Sequence, residues 1–569
     1  MLSTSRPLAS AVAMALIALA TPVLAANPLL TPSTLPFQAP RFDQIKDSDY
    51  QPAIEQGMAE QLAEITRIAN SRAAPTFDNT IVAMEKSGRL LDRATSAFYG
   101  VVAANTNPTL DAVQTAVAPK LTQHSDAIRL NAALFQRVKT LHDKAASLKL
   151  TPEQAQLLKV IYSDFVQAGA NLNDADKAKL RAFNTELATL ETAYQQKLLA
   201  AAKAGALVVD DKAALAGLSE AEVAAAAKDA ADRGLAGKYV LPLQNTTQQP
   251  LLQNLSVRAT REALFKQSWS RAEKGDANDT RATLQQIAWL RAQKAKLLGF
   301  PTWAHYKLAD QMAENPEAAK RFMGQLVPPL AARQKEEAAE IQAVIAKGGE
   351  SFTLAPWDWT RYSEQVRKAK YDLDQNELKP YFELKRVLED GVFFAAKQLY
   401  GLTFKRRTDI PVYQPDVMVY TVYEQDGSEL GLMYFDYFKR DNKNGGAWMS
   451  NFVGQSKLLG TKPVIYNVGN FQKPAAGQPA LVTWDDVNTM FHEFGHALHG
   501  LFADQVYPTI SGTNTARDFV EFPSQFNEHW ALEPRVLANY ARHNKTGAVI
   551  PPALIEKIKR AESFGTGQS

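Results

Sequence analysis

Cysteine is absent from the 569-residue sequence. Disulfides, thiolate metal sites and cysteine nucleophiles are therefore excluded. An excess of one charge is also lacking. Against 60 acidic residues stand 63 Lys and Arg, a formal charge of +3, and no Lys/Arg-rich block stands out, so nothing points to nucleic acid. Past residue 25 no apolar run reaches the about 18 residues that suggest a spanning helix. The mature protein is expected to be soluble, with no membrane partner. Fixed-period repeats that would signal a solenoid are missing too. Histidine is scarce, with eight in the chain, so a close pair of them is informative.

The first 25 residues read as a secretory signal. Arg6 is a thin positive start, residues 11–20 are continuously apolar, and Val23-Leu24-Ala25 offers a cleavage site. The apolar run is too short to span a bilayer. No Cys follows it, which excludes a lipoprotein anchor. The expected location is the bacterial periplasm or the medium, after cleavage.

From 47 to 203 the pattern is helical; Leu158, Ile161 and Phe165 fall on one face. Ser219 and Glu222 form a capping box ahead of an Ala-rich helix, and Gly234 stands at its far end. A second helical block covers 252–347, broken at Gly299-Phe300-Pro301 and ended by Gly348-Gly349. The texture changes after Gly401. Residues 417–424 and 430–435 flank the turn signal Asp426-Gly427 and read as a β-hairpin, with another short strand at 463–468. The chain is thus mainly α with a small β element beside the chemistry. Its length suggests two lobes, a helical one over 26–270 and a catalytic one over 271–569.

The chemistry is centred on Phe491-His492-Glu493-Phe494-Gly495-His496. Thr483 can cap a helix, with Asp485 and Asp486 in its first turn. Val487, Phe491, Phe494, Leu498 and Leu501 make its apolar stripe. His492 and His496 are four residues apart, so both imidazoles project from one face and can share one zinc ion. Glu493 is rotated by about 100° and can act as general base on water beside the metal. Chance supplies such a His-Glu-x-x-His pattern in roughly 0.01 chains of this composition. Gly495 permits close approach of another backbone. The metzincin extension fails, because His499 and Phe502 stand where that motif has Gly and His. His499 lies about 10 Å along the axis from His492, which makes it a packing or supporting residue. The third ligand is expected to be a carboxylate from a second helix: Asp504, Asp518, Glu521 or Glu528. Glu521 could instead pair with Arg517.

His492-Glu493-Phe494-Gly495-His496-Ala497-Leu498-His499-Gly500, then Ser511-Gly512-Thr513 and Arg517-Asp518-Phe519-Val520-Glu521-Phe522-Pro523-Ser524-Gln525, resemble the thimet-oligopeptidase family. The bacterial peptidyl-dipeptidase and oligopeptidase branches match best. Tyr371-Asp372-Leu373-Asp374, Asp436, Arg440 and Gly445-Gly446-Ala447-Trp448 agree with it, and the match runs through essentially the whole mature chain.

The resemblance implies a two-lobed helical ellipsoid with a deep channel that admits short unstructured peptides. It implies one zinc per chain on His492, His496 and Glu521, with Glu493 as the base. Gly446 and Ala447 would lie beside the bound peptide. The implied activity is release of C-terminal dipeptides by a monomer; the alternatives are internal cleavage, or peptide and zinc binding without cleavage. The resemblance also implies that family members continue past the position of Ser569 with a Gly/Tyr-rich loop and with Tyr and His residues that polarise the scissile carbonyl. The expectation from this is a C-terminally truncated chain of low activity and solubility.

Overall fold

Helices build most of the chain, as the sequence pattern suggests. The computed structural model describes residues 27–561 apart from 245–248, 372–374 and 476. The expected signal segment, residues 372–374 of the family pattern and the chain end from 562 lie outside the described residues. Among the described residues no helix is long and apolar enough to cross a membrane.

The N-terminal half is a stack of helices: α1 (Asp47–Ala69), α2 (Arg89–Asn105), α3 (Pro108–Arg129), α4 (Asp174–Ala204) and α5 (Arg281–Leu297). Helix α1 packs on α2 and α3, α3 on α4, and α4 on α5. The starts are encoded locally. Asn107 accepts from the amides of Thr109 and Leu110, with Pro108 at the first helical position. Leu158, Ile161 and Phe165 are buried together as expected. Ser219 and Glu222 form their capping box around Glu220–Asp232. Gly234, Gly299 and Gly349 stand just past helix ends with positive φ, where a side chain would be strained. A long helix, α6 (Pro316–Lys347), follows α5.

The β element is larger than the sequence suggested. Five strands form one sheet: β1 (Thr403–Arg407), β2 (Met418–Tyr423), β3 (Glu429–Phe438), β4 (Trp448–Val453) and β5 (Val464–Phe471), in the order β1-β2-β3-β5-β4. The expected hairpin is β2 and β3, turned at Gly427 with φ +84°. Strand β3 runs parallel to β5, in register Tyr434 with Tyr466, and β4 pairs on the outer side of β5. Strands β1 and β4 went unread. Strand β1 is Thr-Phe-Lys-Arg-Arg and mostly exposed, so no hydrophobic alternation marks it. Strand β3 is buried along nearly its whole length, as a central strand covered on both faces must be.

One buried charge cluster joins the sheet to the helices. Asp436 on β3 is fully buried. It accepts from Lys443 Nζ at 3.0 Å, Arg440 Nη1 at 2.9 Å and Tyr413 Oη at 2.7 Å. Arg440 also donates to the Ala104 carbonyl, and Asn442 to the Thr106 carbonyl. The turn after β3 thereby satisfies backbone carbonyls at the end of α2 that lack intrahelical partners. Burial pushes the Asp436 carboxyl up, but the Arg440 hydrogen bonds and the Lys443 charge outweigh it and hold it below its ordinary value. Burial pushes Lys443 down to about 8.

Replacing Asp436 with Asn should cost about 3–5 kcal/mol in denaturant unfolding, because it removes the buried carboxylate that faces both Arg440 and Lys443. The Asp436 carboxyl has a depressed folded-state pKa. Its contribution is therefore present above about pH 4 and is lost as pH falls through the folded value. The gap between parent and variant should shrink below that pH; a gap independent of pH would contradict the assignment.

Candidate metal centre

The histidine motif sits on α7 (Trp484–Leu501). Its start is the expected one: Thr483 Oγ1 accepts from the Asp486 amide at 3.1 Å, and Asp486 Oδ2 accepts from the Thr483 amide at 2.9 Å. Val487, Phe491, Phe494, Leu498 and Leu501 are buried in a cluster with Met433, Phe435 and Ile465 of the sheet. Burying that stripe turns His492 and His496 towards the opposite side, where α8 (Glu521–Glu528) crosses.

Three donor atoms converge there. Glu521 Oε2 lies 3.2 Å from His492 Nε2 and 3.1 Å from His496 Nε2. Among the described residues no other trio of potential metal ligands comes together in this way. Ser524 Oγ donates to the same Glu521 oxygen at 3.0 Å and steadies it. Glu493 is buried one residue along from His492, and its Oε2 has no hydrogen-bond partner. Burial, aided by the nearby Glu521 charge and opposed by His492, pushes its carboxyl up to about 7. Burial also pushes His496 down, which favours the neutral imidazole that a metal ligand must be. A cation between these groups would suit the two imidazole nitrogens and the carboxylate, and would give the unpartnered Glu493 oxygen a polar neighbourhood.

The other candidates separate cleanly. Asp504 pairs with Lys457 at the surface. Asp518 accepts from the amides of Met312 and Ala313 ahead of α6. Glu521 faces the imidazoles, and among the described residues no ion pair joins it to the Arg517 guanidinium. Glu528 contacts His492 from behind, with Oε1 2.6 Å from Nδ1. His499 stays outside the trio and lines a groove with Phe502, Phe522 and Phe526. Tyr507 is buried against Phe77 in the N-terminal helices and stands away from the trio. Gly446 and Ala447 lead into β4, an edge strand of the sheet. Asn470 Nδ2 donates to the Asn444 and Gly446 carbonyls and holds this approach in place.

Sequence reading missed two asparagines. Asn527 on α8 donates to the Phe491 carbonyl at 2.7 Å, and Asn467 on β5 donates to the Glu493 carbonyl at 2.9 Å. Both are buried, and they clamp α7 from two sides across the motif. Gly495 makes the first clamp possible. A Cβ there would stand 2.7 Å from Ser524 Cα and 2.9 Å from the Pro523 carbonyl oxygen.

Gly495→Ala should therefore destabilise the protein despite a gain in helix propensity of about 1 kcal/mol. Overpacking costs about 1–3 kcal/mol, and here the colliding atoms are backbone, which cannot rotate away. Thermal unfolding should show a lowered midpoint, and metal content should fall because α8 carries Glu521 outward. Unchanged metal binding in a stable variant would mean that the close helix contact is dispensable.

Residues 251–569 match the model of Peptidase family M3. The chain is 54% identical over 541 residues to a protein named dipeptidyl carboxypeptidase from Escherichia coli (strain K12), covering 95% of this chain and 79% of that protein. It is 54% identical over 544 residues to the protein of the same name from Salmonella typhimurium, covering 96% and 80%. Oligopeptidase A of Escherichia coli is 31% identical over 546 residues, covering 95% and 79%. The matched span includes the histidine helix, the crossing helix with Glu521 and the whole sheet, and so this chain belongs to Peptidase family M3 and is a metallopeptidase.

Proposed function

We propose that the protein is a zinc peptidyl-dipeptidase that hydrolyses short unstructured peptides and releases dipeptides from their C-terminal end. The observation that supports this most is the convergence of His492 Nε2, His496 Nε2 and Glu521 Oε2 beside the buried, unpartnered oxygen of Glu493. Two imidazoles and one carboxylate suit zinc, and three protein donors leave a position open, as in catalytic sites. Zinc held there would supply Lewis acidity and make water more acidic. Glu493 is placed to take a proton from water and return it to the departing amine. Burial raises its carboxyl to about 7 in the metal-free protein, and the charge of a bound zinc would lower it towards the carboxylate that accepts the proton.

Peptide alignment falls to the backbone around Gly446 and Ala447. Among the described residues the outer side of β4 has no strand neighbour, so an extended peptide can add there by main-chain hydrogen bonds. The preference for dipeptide release rests on identity. The two relatives named dipeptidyl carboxypeptidase stand at 54%, against 31% for oligopeptidase A. Internal cleavage is the competing reading. Export to a bacterial periplasm or the medium is proposed from residues 1–25, and would place the enzyme among peptides that need turnover.

Elemental analysis should find about one zinc per chain, lost in the His492→Ala/His496→Ala double variant and in Glu521→Ala. Zinc content unchanged by those substitutions would remove the ligand assignment. Glu493→Gln should keep zinc and lose about 10²–10⁴ in turnover, because the amide cannot accept the proton; near-parental turnover would remove the base. Mass spectrometry of products decides the mode. Dipeptides should appear from a peptide with a free C-terminus and not from its amidated form, whereas internal fragments from both would favour the oligopeptidase reading. A stable folded protein should survive the same incubation.

A further inference from the structure

We infer that Glu528 is a positioning residue of the metal centre, which sets the tautomer of His492 so that Nε2 faces the ion with its lone pair. The inference deepens the zinc reading and rests on it. A carboxylate accepts hydrogen bonds and cannot donate them, so the 2.6 Å contact between Glu528 Oε1 and His492 Nδ1 places the imidazole proton on Nδ1. In the neutral ring that a metal ligand must be, this leaves the lone pair on Nε2, which lies 3.2 Å from Glu521 Oε2 on the side where the ion would stand. The opposite tautomer would point an N–H at the ion position and could not ligate.

Glu528 is itself held. Its Oε2 accepts from Asn488 Nδ2 at 3.0 Å. Asn488 lies four residues before His492, so it projects from the same face of α7 one turn away. The two acids of α8 divide the work. Glu521 and Glu528 are seven residues apart, about two turns. Glu521 meets His492 on its Nε2 side, and Glu528 meets it on its Nδ1 side. One helix thus grips the ring at both nitrogens, and any slide of α8 along α7 would disturb ligand and orienter together. Carboxylates placed behind a metal-bound imidazole also raise its basicity, and their loss costs about 10–100-fold in affinity.

The alternative is a helix–helix contact with no bearing on the ring. The location of the proton separates the two. In metal-free protein labelled with ¹⁵N-histidine, measured near about pH 8.5 where an ordinary imidazole is neutral, His492 should carry its proton on Nδ1. The resonance is identified by its loss in His492→Gln. In Glu528→Ala the proton should move to Nε2, the form that free imidazole side chains favour, and zinc affinity by chelator competition should fall about 10–100-fold. Should the alanine variant fail to fold, the isosteric Glu528→Gln reads the same two quantities, with zinc weakened about tenfold by loss of the charged acceptor. Asn488→Ala should shift both in the same direction by less.

A proton found on Nε2 in the metal-free parent would overturn the inference. So would a folded Glu528 variant that holds zinc within about twofold of a parent that binds it, a difference far below the expected loss. A parent that binds no zinc would defeat the metal reading itself, and the metal-free tautomer would still decide the role of Glu528.

Discussion

Two helix backbones touch at Gly495, and the candidate metal centre depends on that contact. The donors lie on separate elements, His492 and His496 on α7 and Glu521 on α8. A glycine at the crossing lets α8 come so near that a Cβ would collide with Ser524 and Pro523. Asn527 then reaches the Phe491 carbonyl from across the crossing, and Glu521 reaches both imidazoles. A wider separation would break all three contacts at once. The fold accepts a weak helix former in the middle of its most important helix for this reason.

The other side of α7 is fixed by the sheet. Phe491, Phe494 and Leu501 share a buried cluster with Met433, Phe435 and Ile465, and Asn467 binds the Glu493 carbonyl from β5. Side chains held on packed helices and strands keep their geometry better than side chains on loops. The sheet is in turn anchored through Asp436, Arg440 and Asn442 to the end of α2. The N-terminal helices therefore bear on the site through a chain of buried polar contacts, although they supply no ligand.

Local signals made much of this readable in advance. Caps at Thr483 and Ser219, the glycine stops and the Asp426-Gly427 turn depend on neighbours three to six residues away, and the structure has them where the residues suggested. The histidine pair was readable because helical spacing alone brings the rings together. What local pattern could not resolve was the third donor. Glu521 and Glu528 are equivalent by composition, and only the packing of α8 on α7 puts one on Nε2 and the other on Nδ1. The family resemblance supplied that choice. Strand β4 and the parallel pairing of β3 with β5 stayed hidden because partners far apart in sequence define them. The two asparagine clamps stayed hidden because a buried Asn with a single task leaves no pattern.

Glu521 remains half exposed, with 52% of its side chain accessible, against 24% for His492 and 12% for His496. The ion position is therefore shared between residues in the middle of one helix and one at a helix start near solvent. A cation bound there would act as a crosslink between α7 and α8, closing a loop of residues from His496 to Glu521 that is otherwise joined by a turn-rich segment. Ligand binding to the folded state alone stabilises it by about 2.7 kcal/mol at a hundred times the dissociation constant. Metal supply would then govern how long the protein survives as well as whether it works. Without such a cation, α8 would be held to α7 by side-chain contacts such as the Asn527 hydrogen bond and by the close approach at Gly495.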